Sequence, residues 1–164
     1  MGIRNAAKAL ILHDGKLLVN KNLNTLGDMC YGLENGAIYY DLPGGGQNQY
    51  ETLEEAVKRE CLEEAGYTVS AERLGAICEE IFLSENLRAC YEQYAHKVYF
   101  LFVCRLEDVP RKAVTEPDLD MLCSEWVPLE EVKKLPIYPE VLKTKLDEIL
   151  NAKVPLFLGS RRIT

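Results

Sequence analysis

Histidine and paired cysteines are scarce in this sequence, and so is basic charge. Only two histidines, His13 and His96, occur in 164 residues, and the six cysteines at 30, 61, 78, 90, 104 and 123 form no CxxC pair. Both facts argue against a zinc site. Lysine and arginine total 19 against 26 aspartates and glutamates, a net charge of −7, with a sequence pI near 5.0. A general nucleic-acid binder carries a basic surface, so a nucleic-acid polymer is not the expected partner. No apolar run approaches the length of a membrane span. The opening segment MGIRNAAKALILHDGK lacks a signal-peptide layout, because Asp14 ends its apolar stretch early. Ala6 also occupies the position where an N-myristoylation motif needs Ser or Thr. The expectation is a cytoplasmic protein with no membrane partner. Cysteines inside apolar runs, such as Cys104 in VYFLFVCRL, read as reduced, buried thiols.

What is present suits one domain over residues 1–164, with a hydrophobic fraction of 48% to build its core. Ala6–Leu12 and Lys16–Asn20 read as a hairpin around the turn signal HDGK. Asn22–Gly36 reads as a long loop and Ala37–Leu42 as a strand stopped by Pro43-Gly44-Gly45-Gly46. A helix is predicted from Thr52 to Ala65, with Thr52 and Glu55 as a capping box and Gly66 at its end. Val69–Leu83 and Tyr94–Leu106 read as extended, the second as a central strand. A polar connection over Glu107–Asp120 leads to a short strand at Glu125–Val127 and a short helix over Leu129–Leu135. A last helix is predicted over Tyr138–Ala152, and the apolar tail Val154–Leu158 either packs on the core or covers a homodimer interface. Many strands with few helices, out of strict alternation, predict an α/β fold with a mixed sheet.

The predicted helix carries an internal contradiction. On a wheel of about 100° per residue, Ala56, Val57 and Cys61 share a core-facing side with Leu53. Glu60, Glu63 and Glu64 fall within about 80° of Leu53 on that same side. These carboxylates repel one another at helical spacing, sit where the helix dipole is already negative, and face inward. A hard divalent cation such as Mg²⁺ resolves all three penalties, because it takes carboxylate oxygens and keeps several waters. It also answers how so acidic a chain could bind an anion. Glu51 and Arg59 form a second pair, which would tie the glycine-rich loop to the helix. That loop is not a P-loop, since Gln47-Asn48 stands where GK[ST] is required.

Gly45, Glu51 and the run Arg59-Glu60-Cys61-Leu62-Glu63-Glu64-Ala65-Gly66-Tyr67 resemble the signature of the Nudix hydrolase family, G-x5-E-x7-R-E-U-x-E-E-x-G-U. Cys61 and Tyr67 are soft fits for U, normally a bulky aliphatic. Tyr40-Asp41-Leu42-Pro43-Gly44-Gly45 resembles the W-x-L-P-G-G lead-in, with Tyr40 for Trp. Glu125 to Glu131 resembles the C-terminal strand-to-helix step. The resemblance implies an α/β/α sandwich around a central mixed β-sheet. It implies Mg²⁺, with Mn²⁺ as a substitute, held by Glu60, Glu63, Glu64 and the Gly45 carbonyl, and Glu51–Arg59 as an orienting pair. It adds one loop carboxylate: Asp120 is assigned, with Glu116 and Asp118 as alternatives. Glu60 is the first choice of general base, and Lys21, Gly44 and Gly45 are the expected substrate contacts. The implied reaction is metal-assisted hydrolysis of a pyrophosphate bond in a small nucleotide. The proline that follows the box in ADP-ribose cleavers is absent from Ile81-Phe82-Leu83-Ser84, as is the tyrosine of dinucleoside-polyphosphate cleavers. A nucleoside triphosphate, oxidised bases included, is therefore favoured over a nucleotide-sugar or ADP-ribose-type substrate. A non-catalytic sensor would have lost box carboxylates that this chain keeps. Tyr31, Tyr39 and Phe82 are candidates to stack on a base.

Overall fold

The computed structural model describes residues 2–25, 27, 32–90, 92 and 94–164, the side chains of Leu87 and Cys90 excepted. The expected hairpin forms from β1 (Arg4–His13) and β2 (Lys16–Leu23), turning at Asp14 and Gly15 with φ of 48° and 72°. The two strands pair only beside that turn, Leu12 opposite Leu17 and His13 opposite Lys16. Beyond it they splay apart, and the chain after the long loop fills the gap. There β3 (Ile38–Asp41) pairs antiparallel with β2, and β4 (Gly44–Gly46) antiparallel with β1. The Ala9 N–H donates to the Pro43 carbonyl at 2.8 Å, closing the fork. Residues 42–46 thus sit where the sheet divides.

On the other edge of β1, β6 (His96–Leu106) runs parallel to it, followed by β5 (Val69–Phe82) and the edge strand β9 (Leu156–Ile163). On the other edge of β2 lies β7 (Met121–Pro128), and β8 (Ile137–Tyr138) joins β3 in parallel. The sheet is mixed, as expected. Alternation along β1 sends successive side chains to opposite layers. Ala7, Ala9 and Ile11 pack with Ala56, Val57 and Cys61 of the box helix. Ala6 and Leu10 join Leu142, Leu146 and Ile149 of the last helix. Helices on both faces make the α/β/α sandwich.

Several elements differ from expectation. The box helix is α-helical only over α1 (Leu53–Glu60), and Cys61–Ala65 form a π turn before Gly66 closes it at φ 73°. Such turns concentrate at functional sites. A short helix, α2 (Glu85–Cys90), follows β5. The helix predicted over 129–135 is shorter, α3 (Leu129–Val132), and the one predicted over 138–152 begins later, α4 (Leu142–Asn151), because Ile137–Tyr138 pair with β3. The glycine run is a strand despite poor intrinsic propensity, because β1 offers it a ladder. The tail packs on its own domain: Leu156 and Leu158 meet the core while Phe157 stays 73% exposed. Cys61, Cys78 and Cys104 are buried free thiols, and burial pushes Cys78 and Cys104 up to about 12.

The capping box at the start of α1 is complete. Thr52 Oγ1 accepts from the Glu55 N–H at 3.2 Å, and Glu55 Oε2 accepts from the Thr52 N–H at 2.8 Å. Thr52→Ala is expected to lower stability by about 1 kcal/mol in urea unfolding, with the slope unchanged.

Candidate active site

Two of the three inward glutamates are drawn to the fork of the sheet. Glu64 is 2% exposed. Its Oε2 accepts from the Gly44 N–H and from Asn20 Nδ2, each at 2.9 Å. The first contact requires glycine: a side chain on Gly44 would meet the Ala7 carbonyl oxygen at 2.2 Å, and φ is +125°. Asn20 is itself held, its Oδ1 accepting from Ser124 Oγ at 2.8 Å. Burial pushes the Glu64 carboxyl up to about 8, against the pull of Lys8, with Asp41 and Asp118 adding to the rise. Glu60 is partly buried and lies against Gly45, where a side chain would meet its carboxylate at 2.6 Å. Burial raises its pKa, and the Arg59 guanidinium opposes the rise.

Arg59 gathers the rest. Its Nε and Nη2 grip both oxygens of Glu51 at 2.8 and 2.9 Å. Its Nη2 also reaches the Gly46 carbonyl at 3.0 Å, and its Nη1 reaches Glu60 and Glu63 at 2.9 Å each. The Glu51 hydrogen bond leads in raising the arginine's pKa, and the same contact lowers that of Glu51. The expected link between glycine loop and helix is therefore a two-point, charge-assisted contact.

The outstanding surprise is Lys8, in the middle of β1. It is 7% exposed, and its Nζ donates to Asp41 Oδ2 and to the Leu42 carbonyl, both at 3.0 Å. Burial disfavours its charge, but Asp41 and Glu64 outweigh burial and raise its pKa. Asp41 in turn accepts from Asn22 Nδ2 at 3.1 Å. The sequence signal was a lone lysine inside the apolar run AAKALIL.

Beside these groups opens a cleft of about 440 Å³. Register builds its floor: Arg4, Ala6 and Lys8 of β1 lie beside Lys97, Tyr99 and Leu101 of β6. Glu60, Gly44 and Gly45 line it, with Asp41, Asp118, Asp120, Tyr39, Phe82, Tyr94 and Tyr138. Of the residues singled out from the sequence, Tyr39, Phe82, Asp118 and Asp120 therefore reach the cleft. Glu116 and Lys21 are not among its lining residues; Lys21 lies in register with Tyr40 and Cys123. Tyr31 lies outside the described residues. Three cations, Arg4, Lys8 and Lys97, line the cleft.

The family model described as NUDIX domain matches residues 3–145. Among solved structures, a NUDIX hydrolase from Nitrosomonas europaea is similar, at 19% identity, with 91% of this chain and 88% of that one covered and a TM-score of 0.66. An ADP-ribose pyrophosphatase from Streptococcus suis covers 94% of this chain and 98% of its own at 21% identity and a TM-score of 0.57. A MutT protein from Bacillus halodurans covers 98% and 90% at 20% identity and a TM-score of 0.59. At such identities the likeness shows the fold. A search of curated proteins finds no significant match.

Glu64 makes a pH prediction. Its carboxyl keeps its proton in the fold up to about 8, against an ordinary 4.5. The unfolded chain therefore releases this proton first, and the folded state loses stability as pH rises through that window. In EDTA, Glu64→Gln should gain stability relative to the parent between pH 5 and 8, read from paired melting curves. A constant difference would contradict the assignment.

Proposed function

Because this chain belongs to the NUDIX domain family and is a Nudix hydrolase, we propose that its acid cluster and cleft use a divalent cation, Mg²⁺ or Mn²⁺, to hydrolyse a phosphoanhydride bond in a nucleoside triphosphate, oxidised bases included. The observation that carries this reading is the Glu64 carboxylate, buried at the fork of the sheet next to a cleft with three cations and five aromatic rings.

The donor chemistry suits a hard cation: carboxylates and a glycine backbone, with no sulfur or imidazole among the residues named. Glu64 is the anchoring ligand, with Glu60, Glu63 and the Gly45 carbonyl completing the protein's share. Among the described residues, no three acidic, histidine or cysteine side chains converge as a ready-made cage. Arg59 accounts for this by drawing one oxygen each of Glu60 and Glu63 to its Nη1. Glu60 and Glu63 would release Arg59 to hold a cation, while Glu51 keeps Arg59 in place. Of the loop acids, Asp120 was assigned from the sequence, and its Oδ1 accepts from Thr25 Oγ1 at 2.7 Å. Asp118 also lines the cleft, and its charge acts on Glu64. Asp118 is thus the better placed to add an oxygen.

When bound, the cation would neutralise the diphosphate and acidify a coordinated water. The side chains divide the remaining work. Glu60 faces the cleft and accepts the proton of the attacking water. Lys8, fixed by Asp41 and the Leu42 carbonyl, presents its positive charge to a phosphoryl oxygen. The new P–O bond forms as the anhydride P–O bond breaks, and the electron pair leaves on the departing phosphate. Tyr39, Phe82 and Tyr138 offer faces for the base.

A panel of nucleoside triphosphates, ADP-ribose and nucleotide sugars, with and without Mg²⁺ or Mn²⁺, tests the reading. Metal-dependent product is expected, most rapidly from a triphosphate. Glu60→Gln should lower kcat roughly 10²–10⁴-fold, and Glu64→Gln should abolish the metal-dependent product release. Failure of every substrate with either metal would refute it.

A further inference from the structure

Arg4 has no task in the chemistry above, yet its surroundings are built around it. It opens β1 in register with Lys97 of β6, on the cleft floor. Adjacent strands lie about 4.8 Å apart, so two cations stand side by side on the floor, a place that favours an anion. Lys97 has Glu80 at 3.8 Å. Among the described residues, Arg4 has no carboxylate within the 4.0 Å of an ion pair. Its guanidinium instead lies on the Tyr94 ring, 4.5 Å from the centroid. Stacking occupies a guanidinium's face and leaves its in-plane N–H donors to a ligand.

Gly46 locates the guanidinium. A side chain there would meet Arg4 Nη2 at 2.6 Å. Position 46 is open in the box pattern, and with no side chain there the guanidinium lies directly against β4. One residue earlier, Gly45 makes the same close approach to Glu60. Arg4 and Glu60 therefore flank successive residues of β4, on opposite sides.

We infer that Arg4, backed by Lys97, binds a phosphate one removed from the anhydride that is cleaved, and so selects nucleoside triphosphates over diphosphate-linked sugars. The inference rests on reading the cleft as a nucleotide site, and deepens it. Arg4 is a specificity residue that touches substrate without taking part in bond breaking. A terminal phosphate and an internal one share the chemistry it recognises, so the probes include both.

Dissociation constants for ATP, ADP, ADP-ribose and diadenosine triphosphate are measured by titration calorimetry in EDTA, where no metal-dependent turnover occurs. Charge-assisted hydrogen bonds of this kind predict about a 10-fold or greater preference for ATP over ADP. Arg4→Gln should collapse that preference to about 2-fold or less by weakening ATP and leaving ADP and ADP-ribose unchanged. Gly46→Ala keeps the charge but displaces the guanidinium, and should weaken ATP selectively as well. Diadenosine triphosphate binding like ATP assigns the subsite to an internal phosphate; binding like ADP assigns it to a terminal one. The inference is overturned if Arg4→Gln, melting like the parent, leaves the ratio intact or weakens ATP and ADP equally. If the parent hydrolyses nothing, the catalytic reading fails, and the binding ratio still decides the role of Arg4.

Discussion

One carboxylate oxygen ties this molecule together. Glu64 Oε2 receives a hydrogen bond from the Gly44 N–H and another from Asn20, so it joins the box helix, β4 and β2. The sheet divides at that point because β1 and β2 part beyond their turn, and residues 42–46 fill the opening. A carboxylate placed there is expensive, since burial disfavours its charge. The fold meets the difficulty with two amide donors and a nearby ammonium, and the carboxyl still rises to about 8. So unfavourable a placement is what makes Glu64 the leading candidate for the proposed chemistry.

The surrounding charges follow from this. Lys8 is a buried cation answering two acids: half-buried Asp41 holds it directly and buried Glu64 acts on it through space. Arg59 plays the same part at the rim, where Glu51 grips it at two points and Glu60 and Glu63 at one each. The unequal grip matters. Under the proposed reading, a divalent cation would compete for Glu60 and Glu63, whose contacts are single, and would leave the Glu51 pair intact. The cluster would then open toward a metal without losing the tether between loop and helix. An acidic chain gains, in one cleft, a face able to receive an anion.

Much of this was legible because it rests on local chemistry. The hairpin showed in the turn signal HDGK, the helix in its capping box and terminal glycine, and the acid stripe in the helical period. Long-range contacts were not legible. No periodicity distinguishes Lys21, at the sheet register of Tyr40, from Lys8 in the cleft; only the order of strands brings Lys8 to Asp41. The strand Gly44–Gly46 contradicts its own propensity and exists because β1 and β2 splay. The π turn at Cys61–Ala65 keeps the inward phase that an ideal wheel assigned to Glu64, so the wheel reached the right face through a helix it did not describe. The lone loop acids were unresolved in sequence because their placement depends on the path of the 107–120 connection.

The central claim is that the Glu64-centred acids grip a divalent cation. Calorimetric titration of Mg²⁺ or Mn²⁺ into the metal-free protein at pH 7, repeated in two buffers of different ionisation heat, tests it most directly. The account predicts one saturable cation site, with proton release on binding, both lost in Glu64→Gln. Cation binding of equal strength in parent and variant, or none in the parent, would contradict it.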